Sequence, residues 1–363
     1  MKARNYYFLL SLAVLFTGFS CNQGVITSVP EEPNEGFETP EPNRIYFCNR
    51  NWYLFGINYP WNNYGHDFGS NAWGHNGVSE EYTTVYLDFD ELMGAGIRSV
   101  RWFLFADGRA SPEFDSNGFV TGFDPFFYSD MDAALDIAKK HGIYIIFSLF
   151  DFYLCDTMKM SGGVQMGGHS DLISDLSKRQ SFLDNALKPM LQRYASHPNV
   201  LAWEVMNEPE WVMVVDGGGN VGVPVTLDEM QKLTVEIGLA VKENAPDQLV
   251  TVGCASKKWI DLWRGVEMDF YQIHYYDWME PWYPFDVNFD SLGLDKPCII
   301  GEFPTSSSNI TVDTYLEKIW TNNYAGSFSW SYKAGDAFSE FSSQPYMDWR
   351  QTYPNAPAEM NCP

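Results

Sequence analysis

The chain has 363 residues, 45% of them apolar and 17% aromatic, with 47 Asp and Glu against 23 Lys and Arg and a formal charge of −24. Its mean hydropathy of −0.25 argues against a polytopic membrane protein. A surface this acidic repels nucleic acid and anionic lipid, so no nucleic-acid partner is expected and any substrate is neutral or cationic.

The N-terminal stretch MKARNYYFLLSLAVLFTGFSC carries Lys2 and Arg4, then an apolar run from Tyr6 to Phe19, then small residues before Cys21. The run is short for a bilayer span and lies where a signal peptide belongs, so residues 1–20 read as one. Gly18-Phe19-Ser20-Cys21 loosely resembles a bacterial lipoprotein cleavage box, with Phe19 where a small residue is preferred. That resemblance implies lipidation of Cys21 and anchorage to the outer membrane of a bacterial cell envelope, with plain secretion as the alternative. Residues 21–44 are rich in Pro, Glu and Asn, have little to bury, and read as a flexible tether. Residues 45–363 are left for the folded domain.

From Asn51 onward apolar runs recur: WYLFGIN, SVRWFLF, IYIIFSLF, VLAWEVM, LVTVG, FYQIHYY, CIIGEF and SFSWSY. They are near-continuous rather than alternating, as parallel strands buried on both faces require. Amphipathic segments lie between several of them. In SDMDAALDIAKKHG, Met131, Ala134, Leu135 and Ala138 form one stripe, Ser129 and Asp132 suggest a cap, and Gly142 permits a left-handed stop. In TLDEMQKLTVEIGLAVKENAP, Thr226 and Glu229 suggest a capping box, with Pro246 beyond the end. SFLDNALKPMLQRYASHP and TVDTYLEKIWTNN read as further helices. Eight strands alternating with helices allow a closed (β/α)8 TIM barrel or an open doubly wound sheet. No GxGxxG follows the first strand, and a single barrel domain is the simpler reading. Two long loops rich in Gly, Asn and aromatics, 58–82 and 151–180, each follow a strand, so a barrel places both on its C-terminal face.

Setting Cys21 aside, Cys48, Cys155, Cys254, Cys298 and Cys362 remain. Cys48 and Cys362 flank the folded region, so a disulfide there would join its two ends. The other three lie in or beside apolar runs and read as small buried residues. His66, His75, His169 and His274 are scattered without paired ligand spacing, so neither a metal nor a cofactor is expected, and a metal-dependent hydrolase is disfavoured.

Two carboxylates stand out. Glu208, in Asn207-Glu208-Pro209, follows the fourth apolar run, and Glu302 closes the seventh. A charge at the buried end of a parallel strand is costly without partners. In a barrel the two face each other across one mouth, the arrangement that glycoside hydrolysis needs.

WEVMNEP, QIHYYDW, IIGEF and SVRWFLF resemble the signature segments of retaining glycoside hydrolases of clan A, particularly family 5. The resemblance implies Glu208 as acid/base and Glu302 as nucleophile. It implies that Asn207 binds the 2-hydroxyl of the reacting sugar, that Arg101 and Tyr276 support the charge on Glu302, that His274 lines the site and that Trp330 is the sugar platform. Trp61, Trp102, Trp203, Trp211, Trp278 and Trp282 are further candidate platforms. Many family 5 cellulases carry a His pair after strand three. FSLFDFYLCD has none, which favours the endo-β-1,4-mannanase branch. A β-1,4- or β-1,3-glucanase, an exo-β-mannosidase, and a noncatalytic surface glycan-binding lipoprotein on the same fold stay open. In each case the partner is a β-linked oligo- or polysaccharide.

Overall fold

The computed structural model describes residues 38–360 and 362. The signal-peptide reading, Cys21 and most of the tether lie outside the described residues. Residues 38–44 do not behave as tether. Glu38 accepts from the Asn51 backbone at 2.7 Å, and Glu41 donates to Asn51 Oδ1 at 2.9 Å, so this stretch is held against the hairpin Ile45–Phe47/Arg50–Trp52. Among the described residues, contacts with the barrel domain therefore reach back to Glu38, because Asn51 supplies both a donor and an acceptor to this stretch.

Eight parallel strands close into a barrel: β1 Leu54–Asn58, β2 Ser99–Phe103, β3 Tyr144–Asp151, β4 Val200–Asn207, β5 Leu249–Cys254, β6 Tyr271–His274, β7 Cys298–Glu302 and β8 Gly326–Ser329. β8 pairs with β1 through Gly326–Leu54 and Ser329–Ile57, which seals the sheet. Almost every strand residue is buried, because barrel interior and helix layer cover both faces. Each apolar run of the sequence supplies one strand.

Outer helices include α1 Tyr82–Gly94, α2 Phe127–His141, α3 Leu227–Asn244 and α4 Val312–Thr321. In α3 the capping box forms: Thr226 Oγ1 accepts from the Glu229 backbone, and Glu229 accepts from the Thr226 backbone at 2.7 Å. In α2 the left-handed stop falls at Gly142, with φ 62°. The expected start of α2 is wrong. The helix begins at Phe127, Asp124 accepts from the Phe126 backbone, and Ser129 is an exposed residue of the first turn. Buried Phe127 lies four residues before Met131, so the apolar stripe runs one turn further back than Ser129 suggested. Asp132 does not reach back either; it accepts from Arg193 and from Tyr194.

At the N-terminal end of the barrel Cys48 and Cys362 are bonded, with Cα atoms 5.6 Å apart. Cys155, Cys254 and Cys298 are buried free thiols, as expected. No helix among the described residues is long and apolar enough to cross a membrane.

Candidate active site

The C-terminal ends of the strands place polar side chains side by side. Asn58 pairs in register with Arg101, Asn207 with Asp151, and His274 with Glu302. The register shifts between Glu204 and Asn207 and between Ile273 and His274, irregularities that re-aim side chains at a barrel rim.

Arg101 is central to the cluster. It lies two residues inside the end of β2 rather than at it, fully buried, and reaches up through the barrel interior. Nε and Nη2 donate to the two oxygens of Glu204 at 2.6 Å each; Nη1 donates to Glu302 Oε1 at 2.7 Å; Nη2 also donates to Asn207 Oδ1 at 2.7 Å. Burial alone would lower the guanidinium, but Glu204 and Glu302 outweigh it and raise its pKa.

Glu302 ends β7. Its second oxygen accepts from the Tyr276 hydroxyl at 2.7 Å. Burial and the neighbouring Glu208 push its carboxyl above the usual carboxylate range, although the charge of Arg101 and the Tyr276 hydrogen bond oppose the rise.

Glu208 follows β4 with φ 47° and ψ 51°, a left-handed backbone that costs a non-glycine residue about 1–2 kcal/mol. Its backbone N–H donates to Gly253 at 2.7 Å. Pro209 then opens a short 3-10 turn, Pro209–Val212, that brings the Trp211 indole back onto Glu208 Oε2 at 2.7 Å. On the other side His274 Nδ1 lies 2.9 Å from Glu208 Oε1. His274 Nε2 faces the Gln272 amide nitrogen at 3.4 Å, and Gln272 donates to Glu204, so the surroundings select the tautomer with the proton on Nδ1. Burial lowers His274 to about 4, so it stays neutral near neutrality. Burial raises Glu208 to about 7, with Trp211 opposing.

One oxygen each of Glu208 and Glu302 and one ring nitrogen of His274 lie within 4.8 Å of one another. Two carboxylates and an imidazole could take a cation. Here each of the four carboxylate oxygens already faces a protein donor: His274, Trp211, Arg101 or Tyr276. That pattern suits two hydrogen-bonded acids better than a metal.

Both carboxylates open into a cleft of about 320 Å³, lined also by Trp61, Tyr64, Asp151, Asn207, Trp278 and Trp330. Trp330 follows β8 directly, is 8% exposed, and donates from Nε1 to Asp336 at 2.8 Å, which fixes its ring. The structure therefore gathers Arg101, Asn207, Glu208, His274, Tyr276, Glu302 and Trp330 at one place. Of the further candidate platforms, Trp61, Trp211 and Trp278 line this cleft, and 70%-exposed Trp282 lies in the adjoining one. Trp102 and Trp203 are fully buried core residues, because both point outward from their strands into the helix layer.

Four participants went unread in the sequence: Glu204, Asn58, Asp151 and the indole of Trp211 as a donor to Glu208. Glu204 carried a usable signal, since a carboxylate in the middle of a doubly buried strand needs a cation.

The family model for cellulase (glycosyl hydrolase family 5) matches residues 61–336. The chain belongs to glycosyl hydrolase family 5. Within that family it is similar to the mannan endo-1,4-beta-mannosidase of Mytilus edulis, 30% identical over 294 residues, covering 70% of this chain and 78% of that one. It is 27% identical over 350 residues to the enzyme of the same name from Cryptopygus antarcticus, covering 84% and 87%. The solved β-mannanase structure from Mytilus edulis superposes with a TM-score of 0.72 at 28% identity, covering 86% of this chain and 94% of that one. The family 5 barrel described above is thus a glycoside hydrolase.

Proposed function

We propose that the chain is a retaining endo-β-1,4-mannanase, with Glu208 as acid/base and Glu302 as nucleophile. The carrying observation is that one oxygen of each carboxyl lies within 4.8 Å of the other. Retaining enzymes hold these groups about 5–5.5 Å apart, whereas inverting enzymes need about 6.5–9.5 Å to admit a water. The two environments also divide the roles. Glu208 at about 7 keeps a proton to give near neutrality, while Arg101 and Tyr276 favour charge on Glu302.

In the first step Glu302 attacks the anomeric carbon as Glu208 protonates the departing glycosidic oxygen. In the second, Glu208 takes a proton from water, the oxygen of that water bonds to the same carbon, and Glu302 leaves. Trp330 forms the platform beneath the reacting sugar, and Asn207 presents its amide NH₂ there because Arg101 occupies its carbonyl.

Cutting within a chain is supported by the shape of the mouth. The cleft shares Tyr64 and Tyr153 with a neighbouring cavity lined by Asp107, Arg109 and Lys159. At another side it shares Trp211 and Trp278 with a cavity lined by Lys258, Trp259 and Trp282. A polymer can run on past the reacting sugar in both directions. The mannan preference draws on the relatives named above and on the absence of a histidine pair after β3. We also propose action outside the cytoplasm, by secretion or by a lipid on Cys21, which rests on the N-terminal sequence alone.

The test is a product profile on soluble β-1,4-mannan, β-1,4-glucan and β-1,3-glucan, with the first anomer followed by NMR. Mixed manno-oligosaccharides released as the β-anomer are expected. Mannose alone would indicate exo action, the α-anomer would overturn the two-step mechanism, and retention on mannan without cleavage would indicate a binding protein.

A further inference from the structure

Asp151 is a buried carboxylate that the mechanism above does not use. It closes β3, is 4% exposed and lines the cleft beside Glu208. Its side-chain partners are neutral: Tyr64 donates its hydroxyl to Oδ2 at 3.2 Å, and Asn207 Nδ2 lies 3.5 Å from Oδ1. Burial and the neighbouring Glu208 push it up to about 7. An acid kept in such surroundings without a cation calls for a ligand that donates to it.

We propose that Asp151 accepts from the 2-hydroxyl of the sugar whose bond is cut, beside Asn207, for which the family resemblance already implies a contact with that hydroxyl. This rests on the mannanase reading and extends it to the choice of sugar. The two residues are register partners on adjacent strands, so their side chains emerge side by side. Asn207 cannot turn, because Arg101 Nη2 holds its Oδ1 at 2.7 Å. The 3.5 Å between its NH₂ and Asp151 is longer than a good N–H···O bond of about 2.7–3.2 Å, so the pair is poorly satisfied alone. A hydroxyl within bonding reach of both atoms would complete it.

Chemistry selects which hydroxyl. The anomeric carbon must lie between Glu208 and Glu302, and Asn207 adjoins the first in sequence and shares Arg101 with the second. The ring groups next to that carbon are the ring oxygen, which only accepts, and the 2-hydroxyl, which donates and accepts. A donor set beside an acceptor matches the hydroxyl. In mannose it is axial and in glucose equatorial, so a fixed pair reads one epimer better than the other. Asp151 is then a specificity-determining residue.

The experiment is a cycle between enzyme and substrate. Wild type and Asp151→Ala are assayed on a dinitrophenyl β-mannobioside and on its analogue lacking the 2-hydroxyl of the sugar that bears the leaving group. On the full substrate the variant should lose about 10- to 100-fold in kcat/KM, as for a lost hydrogen bond to a charged group. On the deoxy substrate the two enzymes should agree within about threefold, because the partner is already missing. Equal losses on both substrates, or none on either, would overturn the proposal. Asp151→Leu keeps the side-chain shape, removes both acceptor oxygens and serves for the same cycle if the alanine variant does not fold. A wild type that cleaves the cellobioside but not the mannobioside would instead overturn the mannanase reading and leave the deoxy comparison to be read on the glucoside.

Discussion

Arg101 is clasped by Glu204 through Nε and Nη2, both at 2.6 Å, and neither side chain reaches solvent. The cation that donates to Glu302 is thus itself oriented by a carboxylate in the middle of β4. Ser148 and Gln272 donate to that carboxylate at 2.8 and 2.7 Å, which completes its acceptors. Breaking one partner of such a pair leaves a buried charge short of compensation, at about 3–5 kcal/mol. Glu204→Gln should therefore lower the denaturation midpoint by a corresponding amount and reduce activity at temperatures where the protein is still folded. A variant with wild-type stability and turnover would show that Arg101 needs only Glu302, Asn207 and Asn58, whose Oδ1 accepts from Nη1 at 2.8 Å.

The two acids should differ by substrate. Glu302→Ala removes the atom that bonds to the sugar, so turnover is lost on mannan and on dinitrophenyl glycosides alike. Glu208→Ala should cost about 10²- to 10⁴-fold on mannan and far less in the first step on a dinitrophenyl glycoside, whose leaving group needs no proton. Steady-state rates of both variants on both substrates decide this; equal losses for Glu208→Ala would reverse the assignment.

Trp211→Phe deletes the indole donor that favours the charged form of Glu208. Without it Glu208 holds its proton more tightly. Activity requires that proton, so the alkaline limb of kcat/KM should move to higher pH. A limb that stays in place or moves down would mean that another group titrates there.

Tyr276→Phe acts on the opposite limb. The lost hydroxyl donates to Glu302 at 2.7 Å and lowers its pKa. Its removal raises the pH at which the nucleophile becomes charged, so the acid limb should move upward, with about 10- to 100-fold lower kcat/KM at the optimum. Titration of kcat/KM across that limb gives the answer, and an unshifted limb would count against the contact.

Cys48 and Cys362 are 314 residues apart in sequence, and their bond lies at the end of the barrel away from the cleft. Cys362→Ser should lower unfolding free energy by about 2–5 kcal/mol while leaving kcat near the wild-type value at moderate temperature. Denaturant titration with a parallel assay separates the two effects.

Much of this was legible in linear order. Strands buried on both faces leave apolar runs that need no partner information to find, and all eight were found that way. Glu208 and Glu302 are visible because each charge ends or follows such a run. Helix α3 announces itself through Thr226 and Glu229, whose contacts are local. Helix α2 misled because Ser129 satisfies the same local rule, while the true start is decided by Phe127 burying against the sheet. Glu204 was hidden inside an apolar run, since only β2 brings Arg101 to it. In linear order Asp151 shows only that no histidine pair follows β3; that it is an acid beside Asn207 is hidden, since the two meet only where β3 and β4 end in register.

The sequence by itself determined the kind of barrel, its strands and the two acids that stand at its mouth, because burial and capping are written in nearest neighbours. Tertiary structure alone decided how close those acids stand, which donor each oxygen meets and which side of the mouth each faces. These depend on the closure of β8 onto β1 and on register between strands distant in the chain, and no local run of residues encodes that spacing.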